Sequence, residues 1–196
     1  PFNQTPLTDE ELSNDCLCYM TYEGKPVKAS RLFAGYEHEQ QVKRIADHFS
    51  QNTIRYRHID YDATIIVQLQ EKISQSLGPV NLKASAFSQR DLTLFATDVE
   101  AYHQLIIDII AQQIFSTQLV LRGTAIKRIF VDGGFSKNAV YMNLLALYFP
   151  AVEVFAASMA QATAMGTALS IHQCWNQKPL PNDIIELKYY ANYQVK

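Results

Sequence analysis

Apolar residues recur at helical spacing along much of the chain, which predicts several amphipathic helices. In the segment 35–49 they lie three and four positions apart, so they fall on one helix face. Further helices are predicted over 63–77, 97–121 and 139–149. The helix 97–121 begins with a capping-box pattern, in which Thr97 precedes Glu100 by three positions.

Shorter apolar runs predict strands between these helices. The segments 16–22 and 26–33 flank a turn centred on Gly24, which predicts a β-hairpin. Two later runs, 127–131 and 151–156, precede predicted helices, and the second is expected to be a buried strand. Strands that alternate with helices indicate an α/β fold.

The loop after the strand 127–131 carries the residues most suggestive of chemistry. Gly133 and Gly134 lack a Cβ, so they permit positive φ and let a flat ring or a ribose approach the backbone. Ser136 and Asn138 place short polar side chains where a helix begins and unpaired N–H groups gather. This pattern is typical of a nucleotide held against backbone, although the same residues also form ordinary turns.

The last predicted helix opens with very small residues over 161–168. Gly166 inside a helix costs about 1 kcal/mol relative to alanine, so a packing reason is expected. Ala164 and Gly166 would let another backbone or helix pack closely. A tightly packed core helix without any function is the alternative interpretation.

Together these segments resemble the C-terminal half of the FGGY carbohydrate kinases, members of the sugar kinase, actin and Hsp70 superfamily. The segment 131–138 is similar to the adenosine motif of that family, and 162–168 is similar to its second interdomain connector. The segment 97–121 resembles the long helix that precedes the adenosine motif. The similarity is clearest over residues 95–175.

The resemblance implies an α/β, ribonuclease H-like (actin-like ATPase) domain with a mixed central sheet flanked by helices. Residues 1–196 would form a single C-terminal, nucleotide-binding domain. The family's N-terminal sugar-binding lobe, with its first phosphate loop and catalytic aspartate, has no counterpart in this sequence. The family's second phosphate motif should lie just before the segment 1–7, so the chain is expected to be a fragment.

The implied function is the ATP-binding lobe of a sugar kinase, with a ketose as the expected sugar. ATP and Mg²⁺ would be its cofactors, the Mg²⁺ being held mainly through the phosphates and the other lobe. Gly133 and Gly134 would form one wall of the adenosine cleft, Asn138 would bond to adenine or ribose, and Ser136 would shape the turn. No catalytic residue is expected in the chain, which alone would be inactive, and the full-length enzyme could be a homodimer.

A second segment, 28–37, occupies the position of a strand-to-helix turn that borders the nucleotide in this family. Gly35 would allow phosphate or ribose to approach a helix N-terminus, and Arg31 would screen phosphate charge. In the alternative interpretation, Gly35 merely begins a helix and Arg31 is a solvated strand residue.

Composition narrows the possible partners. The 196 residues include 48% hydrophobic and 18% charged residues, enough for a folded domain with a core. A net charge of −2 and a pI of about 6.2 lack the basic balance of a nucleic-acid-binding protein. The longest apolar runs, 105–110 and 144–149, are far shorter than a membrane span of about 20 residues, so no membrane partner is expected.

Cysteines and histidines do not suggest a metal site. Cys16, Cys18 and Cys174 match neither a zinc motif nor a disulfide framework, which fits a cytoplasmic protein. The first two are expected to pack together on one strand face. The five histidines are scattered, and His103 is expected at the core edge or the surface.

Two other classes of function remain open. A regulatory or scaffold domain could keep the same fold and lose the nucleotide. An unrelated α/β hydrolase would require a nucleophile, but the sequence has no Gly-x-Ser-x-Gly motif. A P-loop kinase is excluded as a motif, because no Gly-x-x-x-x-Gly-Lys-Ser/Thr occurs.

Overall fold

The computed structural model describes residues 5–73, 80–158, 162–180 and 184–191. Its helices are α1 (Asp9–Ser13), α2 (Ala34–His48), α3 (Ala63–Ile73), α4 (Asp98–Leu121), α5 (Ala139–Tyr148), α6 (Ala162–Ser170) and α7 (His172–Trp175). Its strands are β1 (Cys16–Met20), β2 (Pro26–Ser30), β3 (Arg128–Val131), β4 (Glu153–Ser158) and β5 (Glu186–Tyr190). Short 3-10 helices include Thr53–His58 and Gly134–Lys137.

The helix boundaries follow local capping residues. The Thr97 side chain accepts a hydrogen bond from the Glu100 N–H and caps the start of α4. The helix ends at Leu121, and Arg122 and Gly123 follow it. Gly123 has a φ of +75°, the left-handed conformation that commonly closes a helix. These observations confirm the predicted long helix. The predicted end of α3, at residues 74–77, lies outside the described residues.

A mixed, three-stranded sheet is formed in the order β3-β4-β5. β3 and β4 are parallel and connected through α5, which packs against β4, whereas β5 is antiparallel to β4. This arrangement confirms the predicted α/β class and mixed sheet. β5 was not predicted, because it is short and four of its five positions are exposed, although Glu186 to Tyr189 alternate polar and apolar residues.

The sheet is buried on one face only. Val154 and Ala156 of β4 point into the core, whereas Phe130 and Tyr189 on the other face are each 54% exposed. Phe155 lies between them, with ring centroids 5.4 Å from Phe130 and 5.3 Å from Tyr189. The expectation of a buried strand over 151–156 is therefore correct only in part, because the strand begins at Glu153 and only Val154 and Ala156 of this segment are buried.

The long helix α4 forms the centre of the core and contacts α2, α3, α5 and β2. Leu105, Ile106 and Ile110 are fully buried on it. α4 is long and apolar enough to cross a membrane, but half of its 18-residue apolar window is buried inside the fold. Burial of this extent is typical of the central helix of a packed core, which can have the same length and composition as a membrane-spanning helix.

Polar residues on α4 are buried with partners. His103 is 0% exposed, so its expected position at the core edge or surface is wrong. Its Nδ1 donates to the Val99 carbonyl at 2.8 Å, and its Nε2 accepts from the Asp62 N–H at 3.2 Å. One turn further on, Asp108 accepts two hydrogen bonds from Arg90, at 2.6 and 2.8 Å.

The antiparallel hairpin β1–β2 contacts α4 through β2. Cys16, at the start of β1, is 1% exposed, whereas Cys18 is exposed. The expectation that both cysteines pack together is therefore wrong for Cys18. The reason is that the hairpin leaves the core after its first residue pair, Cys16 and Ser30.

Candidate functional site

The loop after β3 has a backbone that requires glycine. Gly133 has φ +77° and ψ −150°, a region that is essentially restricted to glycine. The chain then forms the 3-10 turn Gly134–Lys137, and the Ser136 hydroxyl closes it by donating to the Gly133 carbonyl at 2.8 Å. Asn138 then caps α5, because its Oδ1 accepts from the Tyr141 N–H at 3.0 Å.

The two glycines leave space around the backbone. A Cβ built at Gly133 or Gly134 would meet no atom within 4 Å. The backbone at these positions is therefore accessible to a ligand rather than covered by neighbouring side chains.

A cavity of about 670 Å³ opens beside this loop, within the range typical of small-molecule sites. It lies between the loop, the start of α2, the 3-10 helix Thr53–His58 and α4. Its described lining consists of Gly35, His38, Tyr56, Arg57, His58, Tyr102, Gly134, Phe135, Lys137 and Asn138. The cavity therefore joins segments that are about 100 residues apart in the sequence.

The charges at this cavity favour an anion. Arg57 and Lys137 both line it, and neither has a carboxylate partner among the described residues. No carboxylate belongs to its described lining. The described residues thus offer two cations for phosphate groups, but no set of ligands that would hold Mg²⁺ directly.

Aromatic rings form the other part of the cavity. Tyr102 lies 5.3 Å from Tyr56 between ring centroids, and His38 is edge-on to Tyr102 at 5.8 Å and to Phe135 at 5.5 Å. Phe135 is in turn stacked on Tyr141 at 4.4 Å. These contacts provide an aromatic wall in the same cavity that Arg57 and Lys137 line.

Hydrogen bonds join three of the lining residues. Asn138 Nδ2 donates to the Tyr102 hydroxyl at 2.8 Å, and His38 Nε2 lies 3.1 Å from the same hydroxyl. Burial lowers the pKa of His38 and raises the pKa of Tyr102 to about 12, so both side chains are neutral near pH 7.

Tyr56 is the one buried polar group of the described residues that lacks a partner. The residue is 3% exposed, and its hydroxyl makes no hydrogen bond of good geometry, although the Asp98 carboxylate is close enough to interact with it. Burial, with the nearby Asp98 carboxylate as a further cause, raises the pKa of Tyr56 to about 12. An unpaired buried hydroxyl in the lining of a cavity is a group that a ligand can satisfy.

Comparison with known proteins identifies the family. The profile described as "Carbohydrate kinase FGGY, C-terminal domain" matches residues 3–179. The chain belongs to this family. The resemblance of the sequence to the C-terminal domain of FGGY carbohydrate kinases is thereby confirmed. No curated protein matches the sequence of this FGGY domain.

The fold of the FGGY domain is also found in a solved structure. The crystal structure of a carbohydrate kinase from Novosphingobium aromaticivorans has a TM-score of 0.59 and 17% sequence identity to this chain. The alignment covers 92% of this chain and 37% of that kinase. At this identity the comparison concerns the fold, and the FGGY domain spans little more than a third of that kinase.

The structure brings together some of the site residues expected from the sequence of the FGGY domain. Gly35, Gly134 and Asn138 line the same cavity. Gly133 lies next to Gly134 in the loop but is not part of the described lining. Arg31 lines a different cavity of about 410 Å³, where its guanidinium is bound by the Asp15 carboxylate at 2.7 and 3.0 Å.

The other expected residues lie away from the cavity. Ser136 is buried beneath the loop and bonds to backbone, as a residue that shapes the turn does. Ala164 and Gly166 lie on α6 and are exposed, and a Cβ added to Gly166 would meet no atom within 4 Å. A helix packed on these two residues would have to come from outside the described residues.

Several lining residues were missed by sequence reasoning. Tyr56, Arg57 and His58 lie in a segment that has no regular periodicity, and His38 was grouped with the scattered histidines. The adjacent aromatic and basic residues at 56–58, between the predicted helices 35–49 and 63–77, are the available signal. Their convergence on Gly134 depends on tertiary packing around α4.

Proposed function

We propose that this domain forms the nucleotide-binding wall of a sugar kinase that transfers the γ-phosphoryl group of ATP to a sugar hydroxyl. The observation that carries the proposal is the cavity beside the Gly133–Gly134 loop. It combines accessible glycine backbone, an aromatic wall and two unpaired cations, which are the features required by a purine, a ribose and phosphates. Family membership and the likeness of the fold to a carbohydrate kinase support it.

In this proposal each part of the cavity has a separate task. The rings of Phe135 and His38 contact the base, with Tyr102 buried behind His38, and the open backbone at Gly134 lies against the ribose. Arg57 and Lys137 lie where they can attract the phosphates. Asn138 has one amide hydrogen left after its bonds to Tyr102 and Tyr141, which can reach the nucleotide.

The remaining chemistry belongs to residues outside this chain. Phosphoryl transfer depends on positioning the phosphates and stabilising their charge, with Mg²⁺ bridging their oxygens. We propose that the Mg²⁺ site, the catalytic carboxylate and the sugar site, for a ketose, are completed by the other lobe. We also propose that the sheet and its helices belong to a ribonuclease H-like fold, and that α6 is the connector between lobes. The purified chain alone should therefore not phosphorylate sugars.

A thermal-unfolding series with MgATP tests nucleotide binding. We expect weak binding by the chain alone, and a ligand at ten times its Kd stabilises the folded state by about 1.4 kcal/mol, a rise of a few degrees in Tm. Gly134→Val should abolish this rise, because its side chain would project into the cavity. Gly166→Val, an equally exposed position on α6, serves as the matched control and should retain the rise.

The outcomes separate clearly. No rise in the wild-type Tm at millimolar MgATP would refute nucleotide binding by this domain. A rise that survives in Gly134→Val would place the nucleotide elsewhere on the molecule. Sugar-dependent ATP turnover by the chain alone would contradict the assignment of the catalytic carboxylate to another lobe.

A further inference from the structure

The side-chain amide of Asn138 has one permitted orientation. Its partner at the start of α5 is the Tyr141 N–H, which can only donate, so the atom 3.0 Å away must be Oδ1. The opposite end of the amide, which faces the Tyr102 hydroxyl at 2.8 Å, is therefore the donor Nδ2. The helix cap thus fixes which end of Asn138 meets Tyr102.

The direction of the next hydrogen bond follows from this orientation. The Tyr102 oxygen accepts from Asn138, and its own hydrogen needs an acceptor, because Tyr102 is 1% exposed. His38 Nε2, at 3.1 Å, is the acceptor available among the described residues. If Nε2 carried a proton instead, the Tyr102 hydrogen would be buried without a partner, at a cost that the observed arrangement avoids.

The imidazole proton of His38 therefore lies on Nδ1. Burial keeps the ring neutral, since it lowers the pKa of His38, and a neutral ring whose Nε2 accepts must carry its hydrogen on Nδ1. Nδ1 has no hydrogen-bond partner among the described residues, and His38 belongs to the cavity lining. Edge-on contacts with Tyr102 and Phe135 restrict the ring, so the donor has a defined position.

We propose that His38 is a nucleotide-binding residue whose Nδ1–H donates to a ring nitrogen of the adenine base. Asn138 and Tyr102 are positioning residues that hold His38 in the tautomer able to donate. His38 lies at the aromatic end of the cavity, beside Phe135 and Tyr102, where a base rather than a phosphate would pack. This inference rests on the proposed nucleotide site and names a group that selects the base within it.

The tautomer can be measured without any nucleotide. In ¹⁵N spectra of the imidazole ring of the 196-residue chain above pH 7, His38 should show a protonated Nδ1 and an unprotonated Nε2. Tyr102→Phe removes the hydrogen that Nε2 accepts and should shift His38 towards a mixture of tautomers. Tyr141→Phe removes another buried tyrosine hydroxyl next to Phe135, outside this network, and should leave the His38 spectrum unchanged.

Two spectra would overturn the inference. One is a wild-type His38 with its proton on Nε2. The other is a Tyr102→Phe spectrum identical to that of wild type. If Tyr102→Phe fails to fold, Asn138→Asp provides the second test, because a carboxylate at this position accepts the Tyr102 hydrogen and frees Nε2 in the same way.

Binding of MgATP tests the role of the donor. His38→Leu should weaken binding about fivefold, the effect expected of one neutral hydrogen bond of about 1 kcal/mol. His38→Asn places an amide N–H close to the position of Nδ1 and should restore most of the affinity. Among adenosine triphosphates lacking N1, N3 or N7 in turn, one should lose affinity for wild type but not for His38→Leu.

The two proposals fail in different ways. Absence of MgATP binding by wild type removes the proposed nucleotide site, while the ligand-free spectra still decide the tautomer. Wild-type binding that is equalled by both His38→Leu and His38→Asn leaves the nucleotide site in place and refutes the role of His38.

Discussion

Asn138 and Tyr102 are joined by a hydrogen bond of 2.8 Å that links the glycine loop to a buried residue near the start of α4. Asn138 also caps α5, so a single side chain fixes the loop to two helices. The geometry of the cavity is thereby coupled to the packing of the core.

Replacing Asn138 should separate these two functions. Asn138→Ala loses the cap and is expected to lower the free energy of unfolding by about 1–2 kcal/mol in urea denaturation. Asn138→Asp keeps the capping oxygen and adds a favourable negative charge at a helix N-terminus, so it should cost less. Equal losses in both variants would contradict the capping role.

Gly133 and Gly134 are adjacent but should respond differently to alanine. Gly133→Ala forces a Cβ onto a backbone at φ +77° and ψ −150° and should destabilise the fold by about 1–3 kcal/mol. Gly134→Ala is the matched control and should change the stability by less than about 0.5 kcal/mol, because its Cβ enters open space. Chemical denaturation of both variants measures the difference in the free energy of unfolding. A Gly133→Ala variant as stable as wild type would contradict the backbone conformation observed at Gly133.

The buried ion pair of Arg90 and Asp108 should be far more important for stability than an exposed pair. The Asp108 side chain is 6% exposed, and Asp108→Asn leaves the Arg90 guanidinium without its counter-charge, at an expected cost of about 3 kcal/mol or more. The pair of Arg128 and Glu153 has side chains that are 63% and 48% exposed, so Glu153→Gln should cost less than about 1 kcal/mol. Similar losses in the two variants would contradict this ranking.

Two buried histidines predict a loss of stability in mild acid. Burial lowers the pKa of both His38 and His103 in the folded chain, whereas in the unfolded chain each has its ordinary pKa near 6.5. At a pH between the lowered and the ordinary values, the unfolded chain therefore binds more protons than the folded chain does. Stability should therefore be complete above about pH 6.5 and decrease as the pH falls below it. Protonation of His103 is also opposed by its Nε2, which already accepts from the Asp62 N–H.

Urea titrations at pH 7.5, 6.5 and 5.5 measure this dependence. His38→Asn removes one of the two groups and should reduce the slope of stability against pH. A wild-type stability that is constant or rises between pH 6.5 and 5.5 would show that neither histidine is held neutral by the fold.

The elements predicted well from sequence are those whose signals are local. The helices α2, α4 and α5 have apolar periodicity, α4 and α5 also have the capping residues Thr97 and Asn138, and the observed bounds of all three agree closely with prediction. β5 has only five residues, and four of them are exposed in the fold, so no run of apolar residues indicates it. Its position depends on pairing with β4, which is a tertiary contact.

The same distinction explains the candidate site. The glycine loop was evident because Gly133 and Gly134 follow a strand and precede a helix start. Tyr56 and His38 became part of the site through packing against Tyr102, a buried residue near the N-terminal end of α4. Arg31, by contrast, was expected beside the nucleotide but is bound by Asp15 at another cavity, an ion pair that no local pattern indicates.

The central claim, that the cavity beside Gly134 binds nucleotide, is tested most directly by titrating the ¹⁵N-labelled chain with MgATP. We predict that the backbone amide shifts of Gly35, Gly134 and Asn138 change together along one saturable curve, while those around Arg31 and Gly166 stay constant. Unchanged shifts at Gly134 and Asn138 at saturating MgATP, or changes confined to the cavity at Arg31, would contradict the account.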